Sequence, residues 1–366
     1  MIKTDLNAAK IIMHYLRAQT KLGLVYSFYK SKGDLTMLDD IYPRLFLEVI
    51  PSTLKKNSPY IKSFLNRREN GSLSSNYGKL IHEVYKHDPN SNIGLEFGKH
   101  LRPAALCDIS RVMMTADNIN SAFEIVKNVQ HTHKACYFPS MRQKSDVYSL
   151  SLTFPFKSTV SSTQRRFCTE AVYSFMVNTM KTITNNQFTP IRARFDFPEP
   201  KYKEEYSAIF GNDITFNSPL NLIEFDERYL DVCLSSYNPM LNQLYQNKCI
   251  DEWQNNERSY DNFEHAVITR MMKNHPETFD CGTLADAMNL SIRGLQKKFT
   301  KNETSFSQLS TRVRKELTKV YLIQEQRSID WTAEKLGFKS RSGFSRFFKV
   351  EFNLTPTEFV NMSNAA

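Results

Sequence analysis

Near the C-terminus one pattern of small, apolar and turn-forming residues occurs twice. The first copy runs Leu284, Ala285, Met288, Asn289, Leu290, Ser291, Leu295, Phe299; the second runs Thr332, Ala333, Leu336, Gly337, Phe338, Ser340, Phe344, Phe348. Ala285 to Ala333 and Leu290 to Phe338 are offset by 48 positions, whereas Leu295 to Phe344 and Phe299 to Phe348 are offset by 49, so the second copy holds one extra residue in its turn. A pattern that recurs in this way has to fold twice into the same unit. That unit reads as helix-turn-helix: the alanine lets two helices approach, and Asn289 or Gly337 stands where a left-handed residue must end the first helix. Ser291 and Ser340 then stand where a hydroxyl caps the next helix.

The second helix of each copy turns Leu295 and Phe299, or Phe344 and Phe348, inward at four-residue spacing. Its outward face is basic and polar, with Arg293, Gln296, Lys297 and Lys301 in the first copy and Arg341, Ser342, Ser345, Arg346 and Lys349 in the second. Such a helix suits a DNA major groove. Between the copies Phe306, Leu309, Val313, Leu317, Val320, Tyr321 and Ile323 largely keep helical spacing, with Arg312, Arg314, Lys315 and Lys319 on other faces. One helix of about 20 residues would be roughly 30 Å long. Successive major grooves on one face of B-DNA lie about 34 Å apart, so one rigid spacer would hold two reading helices a single turn apart.

The segment "IDWTAEKLGFKSRSGFSRFFKVEFNLTPTEF" closely resembles the second motif of AraC/XylS-type transcription regulators, and the chain from about 279 to 360 is similar to their DNA-binding domain. Thr355, Pro356 and Phe359 match the family's hydroxyl-Pro-x-x-aromatic close. Asn289 and Asn353 stand where the family commonly has glycine, and Val360 where it commonly has arginine; asparagine tolerates the left-handed conformation. By position, the resemblance implies base reading by Arg293, Gln296 and Lys297 in the first copy and by Arg341, Ser342, Ser345 and Arg346 in the second. It also implies double-stranded promoter DNA and RNA polymerase as partners, and activation rather than repression.

Composition fits this reading. With 366 residues about two domains are expected. Residues 262–366 hold 16 basic against 11 acidic side chains, half of the net charge of +10, which favours phosphate contact. The opening residues lack a charged-then-apolar signal pattern and no apolar run approaches a membrane helix, so a cytoplasmic protein without membrane contact is expected. Six cysteines without paired short spacing read as reduced thiols.

Residues 1–245 read as a separate domain, 246–262 as a polar linker or surface connecting helix, and 263–366 as the all-α DNA-binding domain with two helix-turn-helix motifs joined by a linker helix. The first domain is expected to be α/β (α+β). Residues 6–28, 40–50 and 73–85 look helical. Leu150, Leu152, Phe154 and Phe156 alternate with polar residues, as do Ile191, Ala193, Phe195 and Phe197, which predicts two half-buried strands. Between them Phe167, Ala171, Phe175 (or Val172), Met176, Thr179 and Ile183 predict an amphipathic helix over one sheet face, followed by a helix over 201–210 and a strand over 216–225.

"IGLEFGKHLRP", "TADNINSAFEIVKNV" and "YSAIFGNDITFNSPLNLIEFDERYLD" resemble the sensor domain of the AraC-type subfamily that contains regulators of ornithine use and related virulence regulators. The resemblance implies a small-molecule sensor that controls the DNA-binding half. Lys134, Arg142, Arg192 and Arg194, beside abundant aromatics, are candidate anchors for a fatty acid, amino acid or other carboxylate in an apolar cavity; the alternative is that they are strand-face residues. His131, His133 and Cys136 are too few to define a metal site, and neither metal nor cofactor is expected. No nucleophile elbow, Gly-rich phosphate loop or His-Glu-x-x-His occurs, which argues against an enzyme. Two other readings stay open, an effector-independent DNA-binding regulator controlled by abundance or a protein partner, and an enzyme fused to a DNA-binding module. A homodimer is compatible with the sequence.

Overall fold

The computed structural model describes residues 45–66, 77–101, 108–129, 138–155, 161–257 and 263–365. The helix expected over 6–28, the candidate anchor Lys134, and His131, His133 and Cys136 lie outside the described residues. Residues 45–49 are helical. Helices α1 (Ser52–Asn57), α2 (Pro59–Asn66), α3 (Tyr77–His87), α4 (Ile93–His100), α5 (Asp108–Met114) and α6 (Ile119–Val129) precede a hairpin of β1 (Phe138–Lys144) and β2 (Val147–Thr153). The long helix α7 (Ser162–Ile183) follows, then β3 (Arg192–Arg194), α8 (Lys203–Phe210), β4 (Ile214–Thr215) and β5 (Asn221–Asp226). The remainder is helical: α9 (Pro239–Glu257), α10 (Phe263–Lys273), α11 (Cys281–Ala287), α12 (Ile292–Lys301), α13 (Phe306–Lys319), a π turn (Val320–Gln324), α14 (Ile329–Lys335), α15 (Arg341–Phe352) and α16 (Pro356–Ala365).

The five strands form one sheet in the order β1-β2-β5-β3-β4, antiparallel except for β3 beside β4. Directly opposite residues share a face. Met141, Leu150, Ile223 and Ala193 therefore form one apolar row, buried in a core with Tyr173, Met176 and Val177 of α7. On the reverse face Arg142, Ser149, Glu224 and Arg192 make one row, and Ser140, Ser151, Leu222 and Arg194 the next.

Alternation predicts a half-buried β2, yet Ser149, Ser151 and Thr153 are as buried as Leu150 and Leu152. The helical half of the chain covers this face, and a strand buried on both sides can keep serines only where something satisfies their hydroxyls.

The helix α7 also differs from its amphipathic expectation. A capping box starts it, with the Ser161 hydroxyl accepting from Gln164 N and the Gln164 side chain accepting from Ser161 N. It is then buried on two faces, one on the sheet and one, through Phe167 and Ala171, in a helical core with Phe46, Ile81 and Phe97. Close approach to α4 needs Gly98, where a Cβ would lie 2.4 Å from the Ala171 carbonyl oxygen. The Ser174 hydroxyl donates to Leu95 O at 2.8 Å across the same contact.

The polar stretch 246–262 is helical through Glu257, so the chain leaves the first domain along α9. The start of α9 is tied to the end of α5, where Asn242 Nδ2 donates to Val112 O at 2.7 Å. No helix among the described residues is long and apolar enough to cross a membrane.

Candidate nucleic-acid interface

Both copies of the repeated pattern close with the same bonds at matching places. In the first, Leu290 N donates to Ala285 O at 2.9 Å, Asn289 is left-handed at φ 52°, and the Ser291 hydroxyl accepts from Gly294 N at 3.1 Å. In the second, Phe338 N donates to Ala333 O at 3.0 Å, Gly337 is left-handed at φ 72°, and the Ser340 hydroxyl accepts from Gly343 N at 3.2 Å. The extra residue, Lys339, lies between Phe338 and the capping Ser340. Asn353, the other asparagine in a glycine place, ends α15 at φ 57°.

Leu295, Phe299, Phe344 and Phe348 all enter one apolar cluster with Leu309, Val313 and Leu317 of α13. Because α12 and α15 each put a four-residue-spaced pair inward, with Phe347 and Phe352 of α15 packed against the same cluster, their charged and polar side chains are left on the outer side. Arg293, Gln296, Lys297, Arg341, Ser342 and Arg346 are exposed and Ser345 is half-buried. Arg341 makes an exposed ion pair with Asp330 at 3.3 Å; among the described residues no salt bridge holds Arg293, Lys297 or Arg346. Cations exposed in this way can meet an anion at little desolvation cost.

The spacer departs from expectation in two ways. It is α-helical for 14 residues, Phe306–Lys319, and then widens into the π turn instead of running straight to 324. By rise per residue the α segment spans about 21 Å. Arg314, expected on its outer surface, instead tucks under the second turn: its guanidinium lies 4.4 Å from the Phe279 ring centre and 4.9 Å from that of Phe338, and its Nε donates to Leu336 O at 2.9 Å. Burial pulls its pKa below the usual guanidinium range. Arg312 pairs with Glu264 of α10 at 2.6 Å and Lys315 with Glu351 of α15 at 3.0 Å. The spacer is thus fastened by polar bonds to α10 and to the second motif, and nothing in the one-dimensional pattern distinguishes Arg314 from a solvated arginine.

The π turn lies on the reverse face of the sheet. Gln324 is 8% exposed; its Oε1 accepts from the Ser151 hydroxyl at 2.8 Å, and its Nε2 faces Ser140 O at 3.1 Å, Ser149 O at 3.2 Å and Ser149 Oγ at 3.0 Å. Arg142 Nε donates to Glu325 at 2.5 Å, Lys144 to Gln326, and Phe154 N to Glu316 at 3.4 Å. Phe138 and Leu220, from the first half, complete the apolar cluster of the second. Sequence reasoning missed this joint, whose one signal is the run of serines and a threonine at 149, 151 and 153 on one face of β2.

Arg142, Arg192 and Arg194 all lie on this reverse face, outside the apolar core. Arg142 is engaged with Glu325 across the joint. Arg192 pairs with Asp213 at 2.9 Å and Glu224 at 3.6 Å, and the Asp213 hydrogen bond raises its pKa. Burial, with Arg192 beside it, lowers that of Arg194.

The described residues thus form a mixed α/β N-terminal domain and a helical C-terminal region in which one basic-faced helix-turn-helix unit occurs twice. Residues 68–234 match the arabinose-binding N-terminal domain of AraC transcription regulators, and residues 284–362 match a helix-turn-helix domain model. The chain belongs to the AraC family of transcription regulators. It is 23% identical over 196 residues to the ornithine utilization regulator of Pseudomonas aeruginosa, covering 53% of this chain and 57% of that one. It is 26% identical over 97 residues to the Escherichia coli proteins Rns, a DNA-binding dual transcriptional regulator, and CfaD, an HTH-type transcriptional activator, covering 26% of this chain and 37% of each of those. The chain thus spans little more than half the length of the first of these relatives. The crystal structure of the transcriptional regulator CdpR from Pseudomonas aeruginosa superposes at a TM-score of 0.44 and 15% identity, over 88% of this chain and 98% of that one.

Proposed function

We propose that this protein is a cytoplasmic, sequence-specific DNA-binding transcription regulator that activates transcription together with RNA polymerase, and that its first domain senses a small carboxylate-bearing molecule. The observation that carries the reading is the pair of helices α12 and α15, each locked inward by two buried apolar residues, α12 presenting exposed basic and amide side chains and α15 exposed basic and hydroxyl ones. In their roles Arg293, Gln296 and Lys297 read one half-site and Arg341, Ser342, Ser345 and Arg346 the other. Arginine pairs with guanine and glutamine with adenine through two bonds each. Selection of bound sequences from random duplexes, followed by fluorescence titration of Gln296→Ala and Arg346→Ala, tests this. Each variant is expected to relax preference at one base position at a cost of about 1–3 kcal/mol. Binding by both variants indistinguishable from wild type on every site variant would refute the roles.

Control by the first domain would run through the joint at Gln324. An effector shifts the arrangement of the two halves only by binding one arrangement more tightly than another. The Gln324 amide is the hub of that arrangement, because its Oε1 accepts from the buried Ser151 hydroxyl and its two Nε2 hydrogens are shared among Ser140 O, Ser149 O and Ser149 Oγ. Gln324→Leu leaves those groups without it, at about 1–3 kcal/mol for each group left unsatisfied. The expected result in calorimetry is that the two halves melt in separate transitions; an unchanged melting profile would remove the joint from the account.

A further inference from the structure

We infer that Ile292 is a specificity-determining residue that reads the C5-methyl group of a thymine in the first half-site, at the place where Arg341 reads the second. This rests on the DNA-binding reading above and adds to it.

The two copies are in register through this stretch without a gap. Ser291 and Ser340 cap with the same bond, Gly294 and Gly343 supply its donor, and Leu295 and Phe344 begin the buried pair. The first residue of α12, Ile292, therefore stands where Arg341 stands in α15. It is 51% exposed, although the other exposed positions of α12 are basic or polar. An isoleucine half out of water at the N-terminal end of such a helix keeps apolar surface that packing within the protein does not use. Its Cδ1 would lie 3.9 Å from a Cβ on Gly282, so the side chain rests beside the start of α11 with its remaining surface turned out.

Residues at the N-terminal end of a recognition helix are the ones that reach base edges. In the major groove thymine alone among the four bases shows a methyl group, and its partners are apolar side chains, whereas guanine presents two acceptors that match arginine. A β-branched side chain in a helix has one strongly preferred χ1 rotamer, so Ile292 is already ordered before contact. Both partners then remove apolar surface from water. The consequence is an operator whose half-sites differ at one matched position, thymine in the first and guanine in the second, which fixes the direction in which a chain lies on the duplex. Val350, the exposed apolar residue of α15, sits toward the opposite helix end and has no such reach.

The test uses the full chain and the sequence it selects from random duplexes. Each thymidine of the first half-site is replaced in turn by deoxyuridine, which removes the methyl group and leaves the protein untouched. Wild type is expected to bind about fourfold more weakly at one position, the worth of one buried methyl-sized group, and Ile292→Ala to show no difference between the two bases there. Ile292→Arg should move the preferred base at that position to guanine. If no deoxyuridine weakens wild-type binding while Gln296→Ala still relaxes specificity, Ile292 reads no methyl and the proposal falls alone. If no sequence is enriched and Gln296→Ala and Arg346→Ala change nothing, the DNA-binding reading falls with it.

Discussion

Gly337→Val is expected to abolish sequence-specific binding by the second helix-turn-helix unit. Gly337 sits at φ 72°, and the three atoms nearest a Cβ there, on Phe279, Arg314 and Pro276, would lie at 3.6, 3.7 and 3.7 Å. A single added carbon therefore fits. The obstacle is the backbone, since a branched Cβ strongly resists positive φ and the strain amounts to about 1–3 kcal/mol. The turn relaxes it by swinging α15, and with α15 go Arg341 and Arg346. Losing two base contacts at about 1.4 kcal/mol each weakens binding about 100-fold. Gly337→Asn is the control, because Asn289 holds the matching place at φ 52° and Asn353 ends α15 at φ 57°; it should bind within a few-fold of wild type. Normal circular dichroism together with normal affinity in Gly337→Val would refute the role given to this turn.

Glu170→Ala is expected to destabilise the first domain by about 3–5 kcal/mol, the cost of breaking a buried ion pair by removing one partner. Glu170 lies on α7 with no exposure and gathers Arg166 Nε at 2.9 Å, Tyr202 at 2.8 Å, Tyr206 at 2.5 Å and Tyr85 at 3.2 Å. Burial pushes its carboxyl pKa up, against the pull of Arg166 and the tyrosine hydroxyls. On Arg166 burial works against the charge, and the neighbouring carboxylate more than offsets it, holding the guanidinium above its usual range. With the carboxylate gone, a guanidinium and buried phenols lose their common acceptor. Gly94 leaves the space Glu170 fills, for a Cβ there would lie 2.4 Å from its Oε2. Denaturant titration followed by far-ultraviolet circular dichroism measures the loss; less than about 1 kcal/mol, the worth of an exposed pair, would contradict the hub. Glu170→Gln, which keeps an acceptor and loses the charge, should fall between.

The paired helix-turn-helix units were legible because their determinants are local. A small residue, a left-handed turn residue, a capping hydroxyl and a four-residue apolar pair lie within fifteen positions or so of one another, and each forces its own piece of geometry. Strands and helices of the first domain were legible in kind but not in surroundings. The serines of β2 read as a solvent face because alternation reports only that two faces differ. Nothing local could say that Gln324, 173 positions on from Ser151, would satisfy them. The helix α7 misled in the same manner: its second buried face depends on Gly94 and Gly98, and a glycine pair signals close approach without naming the partner. Arg314 reads as a cation on another face of the spacer and Arg142 as a carboxylate anchor or a strand-face residue, and a stacked or bridged arginine has the same sequence signature as a solvated one.

The central claim is that one chain places two reading helices against one face of a duplex. Hydroxyl-radical footprinting of the selected sequence, at one chain per duplex, tests it most directly. The account predicts two protected patches on the same face, separated by about one helical turn of 10–10.5 base pairs, with Arg346→Ala weakening only the second. A single patch unaffected by Arg346→Ala, or no protection on any selected duplex, would contradict it.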